Sequence, residues 1–288
     1  MKRIILTALI LISLLASWSF ASDKHPYGVF IGMGKNKILR LKNYSTLVVD
    51  AQYLSKNDIK KLRANGNKKI YSYLSVGSIE NFRPYYKKFK SITLGKYEDW
   101  PEERWIDVSK KGWQRFIARK GKGIKNKGLD GFFIDNADVY YHYKKPKIYK
   151  GLTKILKALK SQKMDIVING GDEYVLRAIT KNPRLKYINA INQETVFSKI
   201  DFENRKLLSQ DAETKRYYQE YCRKAKKAGL SVYLLEYTIN QDLMAQISDF
   251  CKSKNYKYYV SPSIELDLSC QDICYILKNI LLLPDQDF

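Results

Sequence analysis

The chain has 288 residues, 45% hydrophobic and 28% charged, which is the balance of an ordinary globular protein and excludes disorder throughout. Its 52 Lys and Arg against 29 Asp and Glu give a formal net charge of +23, which permits binding to nucleic acid or anionic surfaces but establishes neither. Four cysteines are too few for a disulfide-built scaffold, and two histidines, His25 and His142, leave little for a histidine-rich metal site or a Ser-His-Asp triad, whereas hydrolysis run by carboxylates stays open.

In chain order, the first feature is Lys2-Arg3, an apolar run from Ile4 to Leu15, and the small residues Ser19 and Ala21. This is the layout of a secretory signal cleaved after Ala21. The run is shorter than the about 20 residues a membrane span needs. Residues 1–21 are therefore expected to be a signal peptide, and residues 22–288 a single domain that is secreted or periplasmic without stable membrane insertion. An uncleaved N-terminal anchor is the alternative. Losing Lys2 and Arg3 leaves 50 basic against 29 acidic side chains, +21, so the basic character belongs to the mature domain.

Short apolar or β-rich runs then alternate with amphipathic segments. The runs are Leu47 to Tyr53, Ile70 to Gly77, Trp105 to Val108, Gly131 to Asp135, Ile166 to Gly170, Ile188 to Gln193, Val232 to Tyr237 and Tyr258 to Ser261, eight predicted strands. Between them, Ser55 reads as an N-cap with Gly66 past the helix end, and Pro146 as a first-turn residue ahead of Ile148, Leu152, Ile155, Leu156 and Leu159. Asn240 opens another helix, with Leu243, Met244, Ile247, Phe250 and Cys251 on one face. Strands apolar on both faces and separated by helices indicate a parallel sheet. Eight such units in this length match an α/β fold, a single (β/α)8 TIM barrel. A doubly wound open sheet is the alternative, but no G-x-G-x-x-G or P-loop follows the first strand.

The four cysteines, Cys222, Cys251, Cys270 and Cys274, all lie in the last quarter of the chain. Cys270 and Cys274 are spaced to pair outward to Cys222 or Cys251 rather than with each other, and buried free thiols are the alternative. None of the spacings is the short Cys-x-x-Cys of a zinc site.

In a barrel of this kind chemistry sits at the carboxyl ends of the strands, and acids stand at nearly all of them. Asp50 closes the first predicted strand, Glu80 follows the second and Asp107 lies in the third. Asp135 and Asp138 end the fourth, and Asp172-Glu173 follow the fifth. Glu194 ends the sixth, Glu236 the seventh, and Glu265 and Asp267 follow the eighth. Lysines crowd the helices, as in Lys60-Lys61, Lys110-Lys111 and Lys224 to Lys227. The expected field is an acidic mouth on a basic body. Asp172, Glu265 and Asp267 also suit helix capping or ion pairing. Asp135 and Glu194 emerge from apolar runs, where a carboxylate is costly unless it faces a wet cleft or a partner.

The segments Tyr73-Leu-Ser-Val-Gly77, Trp100-Pro-Glu-Glu-Arg-Trp105, Gly128-Leu-Asp-Gly-Phe-Phe-Ile-Asp-Asn-Ala-Asp138, Asn192-Gln-Glu194 and Tyr259-Val-Ser-Pro-Ser263, taken in order, resemble glycoside hydrolase family 114. This group holds the endo-α-1,4-polygalactosaminidases and exported TIM-barrel proteins, and the similarity spans nearly all of the mature chain. The resemblance implies an endo-acting glycosidase of amino-sugar polymers whose catalytic pair, the acids ending strands four and six, falls on Asp135 and Glu194. At Ser78 the chain departs from the family pattern, which often carries an acid there, and a substrate contact is expected to differ.

A glycosidic oxygen leaves only once protonated, and the developing oxocarbenium ion needs a nucleophile or negative partner. Asp135 is expected to be the nucleophile and Glu194 the acid/base, with no metal or cofactor. Sugar rings present apolar faces that stack on aromatic residues; Tyr73, Trp100, Tyr140, Tyr174 and Tyr237 are candidates, while Trp105 suits core packing. Asn136, Asn169 and Asp172 are expected to bind hydroxyls or an amino group. Glu80 and Asp138 join them, and Asp50 is expected to hold a basic substrate group or a structural arginine. The expected partner is a polysaccharide substrate met by a monomer. A carbohydrate-binding barrel without turnover, and a basic protein for nucleic acid or anionic polymers, are the competing classes. No aromatic-basic platform supports the last.

Overall fold

The computed structural model describes residues 25–98 and 100–268; the expected signal peptide, Cys270 and Cys274 lie outside them. Eight strands pair in chain order in one parallel sheet: β1 (Gly28–Phe30), β2 (Thr46–Val49), β3 (Lys69–Ser75), β4 (Gly131–Asp135), β5 (Asp165–Asn169), β6 (Ala190–Glu194), β7 (Ser231–Tyr237) and β8 (Lys257–Ser261). The sheet curls into a nearly closed TIM barrel. Its two edges meet through side chains, Phe30 of β1 lying edge-on to Tyr259 of β8 with ring centroids 5.2 Å apart. No helix among the described residues is long and apolar enough to cross a membrane.

The helices between strands follow the sequence signals closely. Lys56–Ala64 opens on a capping box in which Ser55 and Asp58 satisfy each other's backbone N–H groups, and Gly66, with φ +82°, carries the chain out of the helix. Pro146–Lys160 starts on its proline and buries Ile148, Leu152, Ile155, Leu156 and Leu159 against the barrel. Each such side chain contributes roughly 1.5–3 kcal/mol of burial. In Gln241–Lys254 the Asn240 side chain accepts from Leu243 N at 2.9 Å, and Leu243, Ile247 and Cys251 are buried. Cys222 and Cys251 are buried free thiols.

One expected strand is wrong and one was missed. Trp105–Val108 is not in the barrel. Glu103–Ile106 is instead the middle strand of a three-stranded antiparallel sheet with Ser78–Glu80 and Thr93–Lys96, inserted after β3. The true first strand, Gly28–Phe30, is three residues long and too short to show periodicity. The two errors cancel, so numbering from the fourth strand onward stands. Asp107 consequently does not reach the barrel mouth: it is buried, accepting from Ser109 Oγ and from Lys147 Nζ at 2.9 Å.

The inserted sheet is held close by Gly77. A Cβ on Gly77 would lie 1.8 Å from the carbonyl oxygen of Asn136, so only glycine lets the loop after β4 cross this point.

Candidate active site

Residues alternate between the two faces of a strand, and β4, β5 and β6 each end on a polar residue facing the barrel interior: Asp135, Asn169 and Glu194. In all three cases the next residue turns into the left-handed region, with φ +63° at Asn136, +59° at Gly170 and +56° at Thr195. The strands stop abruptly and the three side chains are left side by side. Thr195 is β-branched, for which this backbone costs on the order of 1–3 kcal/mol.

Asn169 joins the two acids. Its single Nδ2 donates to Glu194 Oε1 at 2.6 Å and to Asp135 Oδ1 at 3.0 Å. Laid end to end, these two bonds bound the separation of the two carboxylate oxygens at about 5.6 Å. The amide is itself oriented from below. Asn192, its register partner on β6, donates from Nδ2 to Asn169 Oδ1 at 2.7 Å, and the Tyr27 hydroxyl donates to Asn192 Oδ1 at 2.9 Å.

Two tyrosines expected to stack on sugar also position the acids. The Tyr237 hydroxyl donates to Glu194 Oε2 at 2.6 Å, and Tyr73 and the Asn136 backbone lie where they favour the charged form of Asp135. Burial pushes both carboxyls above their ordinary range; for Glu194 the neighbouring Asp135 adds to the shift, while the hydrogen bonds to each oppose it.

The pair lies in a cavity of about 600 Å3 at the carboxyl ends of the strands. Its lining carries eight acids (Asp50, Glu80, Glu102, Glu103, Asp135, Asp138, Glu194 and Glu265) and one base, Arg83. Trp100, with Phe82 and Phe202, supplies aromatic wall; Trp100 meets Phe202 edge-on at 6.1 Å. Arg83 binds Glu80 at 2.7 Å and Asp50 at 3.4 Å, so it is the structural arginine that Asp50 was expected to hold, and Glu80 shares it. Asp138 accepts from Gly171 N at 3.0 Å and is pushed up to about 7 by burial. Among the described residues no group of three or more His, Cys, Asp or Glu is arranged to hold a metal ion.

Other expected contacts are displaced. Asn136 lines the cavity, but its amide hydrogens go to Ser75 Oγ and Ser78 Oγ at 3.0 and 2.8 Å. Asp172 lies outside this cavity, bonded to the Tyr217 hydroxyl. Tyr140 and Tyr174 are core residues: Tyr140 accepts from Arg177 at 2.7 Å and Tyr174 bonds Thr153 at 2.9 Å. Glu236 points away from the interior because its neighbour Tyr237 points in. It anchors the loop after β6 by accepting from the backbone N–H groups of Val196, Phe197 and Ser198.

Three lining or supporting residues went unassigned in the sequence. Glu103, within the Trp100–Trp105 segment, is the register partner of Glu80 on the neighbouring strand and is pushed up to about 8 by burial and by Asp135 and Glu80, with Ser78 opposing the shift. The place beside Ser78 is therefore acidic after all. Gln193 lines the cavity with a buried Oε1 that has no partner among the described residues. Asn192 stood in the Asn-Gln-Glu segment, but nothing in the letters showed that it would face Asn169.

The family model for glycoside-hydrolase family GH114 matches residues 16–275. The glycoside hydrolase domain of PelA from Pseudomonas aeruginosa superposes with a TM-score of 0.71 at 15% identity, over 84% of this chain and 96% of that one. Aspergillus fumigatus Ega3 in complex with galactosamine gives 0.62 at 18% identity, over 85% and 93%. The Thermus thermophilus α-galactosidase TtGalA gives 0.56 at 11%, over 91% and 62%. At such identities the superpositions speak for the fold. No curated protein matches the sequence.

Proposed function

The chain belongs to glycoside-hydrolase family GH114 and is a glycosidase, and we propose that it cleaves internal bonds of a cationic amino-sugar polysaccharide of the α-1,4-galactosaminan kind, with Asp135 as nucleophile and Glu194 as acid/base. The observation that carries this reading is the pair of carboxylates bridged by one Asn169 nitrogen at the floor of a cavity with eight acids and a single arginine.

In the first step Glu194 gives its proton to the glycosidic oxygen while Asp135 attacks the anomeric carbon, breaking the C–O bond and forming a glycosyl ester. In the second, Glu194 takes a proton from water, whose oxygen displaces Asp135. The Asp135 Oδ1 to Glu194 Oε1 separation of at most about 5.6 Å supports the spacing of about 5–5.5 Å between carboxyl groups in retaining enzymes over the about 6.5–9.5 Å that leaves room for an inverting water. Burial raises the Glu194 carboxyl, as an acid working near neutrality requires. As Glu194 loses its proton, the bonds from Tyr237 and Asn169 become charge-assisted and strengthen.

A +23 chain should repel a cationic polymer at long range, but the lysines lie on the outer helices, and screening beyond about 8 Å at physiological salt leaves the cavity's own acids to set the field. Galactosamine is the sugar bound to Ega3, and its ammonium is the group such a cavity suits. The Lys2–Ala21 signal supports export to where such polymers occur.

The test is incubation with de-N-acetylated and with fully N-acetylated α-1,4-galactosaminan, reading products by mass. Oligomers are expected from the de-N-acetylated polymer and few or none from the acetylated one. No new reducing ends from either would leave a glycan-binding barrel without turnover and overturn the proposal.

A further inference from the structure

We infer that the polymer does not end at the catalytic cavity but runs over its wall into a second, tyrosine-lined cavity that binds its next amino-sugar units. This rests on the substrate reading above and adds where the chain extends. The second cavity is about 700 Å3 and shares Tyr97, Asp138 and Tyr218 with the first, so the two are neighbours across a common rim.

Its aromatic surface is not core. Tyr141 and Tyr217 are 58% and 46% exposed. Rings left in water at a cavity edge are the platforms on which the apolar faces of pyranose rings stack. Below them Trp105 lies between Tyr97 and His142, with ring centroids 4.4 Å from each. Trp105 is 1% exposed, and its indole N–H has no acceptor among the described residues. A buried donor without a partner is costly.

Charge selects the same ligand class as the first cavity. Glu98, Asp138, Asp172, Glu173 and Glu213 line the second, with no Lys or Arg among the described residues that line it. Lys144 pairs with Glu173 at 2.8 Å and His142 Nδ1 lies 3.6 Å from Glu98, which leaves the field negative on balance. The Tyr217 hydroxyl donates to Asp172, tying the helix Ala212–Lys227 to the start of Asp172–Lys181. The wall is thus formed before any ligand arrives.

The test compares α-1,4-linked galactosamine tetramers and dodecamers as substrates. In the Tyr141→Ala/Tyr217→Ala protein, the ratio of kcat/KM for dodecamer to that for tetramer is expected to fall about tenfold, through KM. An unchanged ratio overturns the inference. Calorimetric binding of the dodecamer to Glu194→Gln protein is measured in parallel. Affinity about tenfold weaker on adding the two tyrosine substitutions supports the second cavity, and equal affinity overturns it. A wild-type protein that cleaves neither oligomer would overturn the functional proposal itself, and the binding measurement would still decide the second cavity.

Discussion

The Asn192 amide donates to the Asn169 side-chain oxygen at 2.7 Å, and this contact decides which end of the Asn169 amide meets the Asp135 and Glu194 carboxylates. With its oxygen held by Asn192, Asn169 must present its NH2 upward to Asp135 and Glu194. The Tyr27 hydroxyl fixes Asn192 in turn. Replacing Asn192 by Leu leaves Asn169 Oδ1 and the Tyr27 hydroxyl buried and unpaired, about 1–3 kcal/mol each. Asn192→Leu is expected to lower kcat about tenfold or more with a smaller change in KM, and Tyr27→Phe only a few-fold. Steady-state kinetics with thermal melts separate this from simple loss of fold; a kcat unchanged in folded Asn192→Leu protein would contradict the relay.

The spacing of the acid pair predicts the stereochemistry. Cleavage of an α-linked polymer is expected to release the α-anomer first, followed by mutarotation. Proton NMR during the first minutes reads this directly, and initial β-anomer would show that a water fits between the carboxyls.

Buried carboxyls give the fold an acid-favouring stability. Glu103, Asp138 and Glu236 are raised by burial to about 8, about 7 and about 7, whereas in an unfolded chain such groups lose their protons near pH 4. Between about pH 4 and 8 the folded protein therefore holds more protons than the unfolded chain, so rising pH favours unfolding. Asp107 and Asp165, held below the ordinary range, titrate outside this window. The melting temperature is expected to fall by several degrees from about pH 5 to about pH 8, and Glu103→Gln to flatten part of that slope. A melting temperature that rises across the window would contradict it.

Arg83 is buried between Glu80 and Asp50. Its replacement by Met leaves two carboxylates without their cation at the cavity wall, and breaking a buried pair in this way costs about 3–5 kcal/mol. Urea denaturation of Arg83→Met should show a loss of that order; a loss below about 1 kcal/mol would mean that solvent compensates both acids.

How much of this was legible in the sequence depended on whether contacts were local. The runs ending in Asp135, Asn169 and Glu194 are five-residue strands; the first was read at its exact bounds, and the runs read as Ile166 to Gly170 and Ile188 to Gln193 ended within one residue of the other two. The barrel's first strand could not, because three residues carry no period. Trp105 lay in an apolar run, yet its strand pairs antiparallel outside the barrel, which only tertiary packing decides. β7 is buried on both faces, so its letters do not say whether Glu236 or Tyr237 points inward. Asn169 and Asn192 meet through the register of two neighbouring strands, a relationship between segments and not within either.

Trapping the glycosyl-enzyme tests the central claim most directly. Glu194→Gln protein, supplied with an activated galactosaminyl donor whose leaving group needs no proton, should accumulate a covalent adduct. Peptide mapping by mass spectrometry is expected to find one galactosaminyl unit esterified to Asp135. Turnover of the donor with no adduct, or an adduct on another side chain, would contradict the assignment.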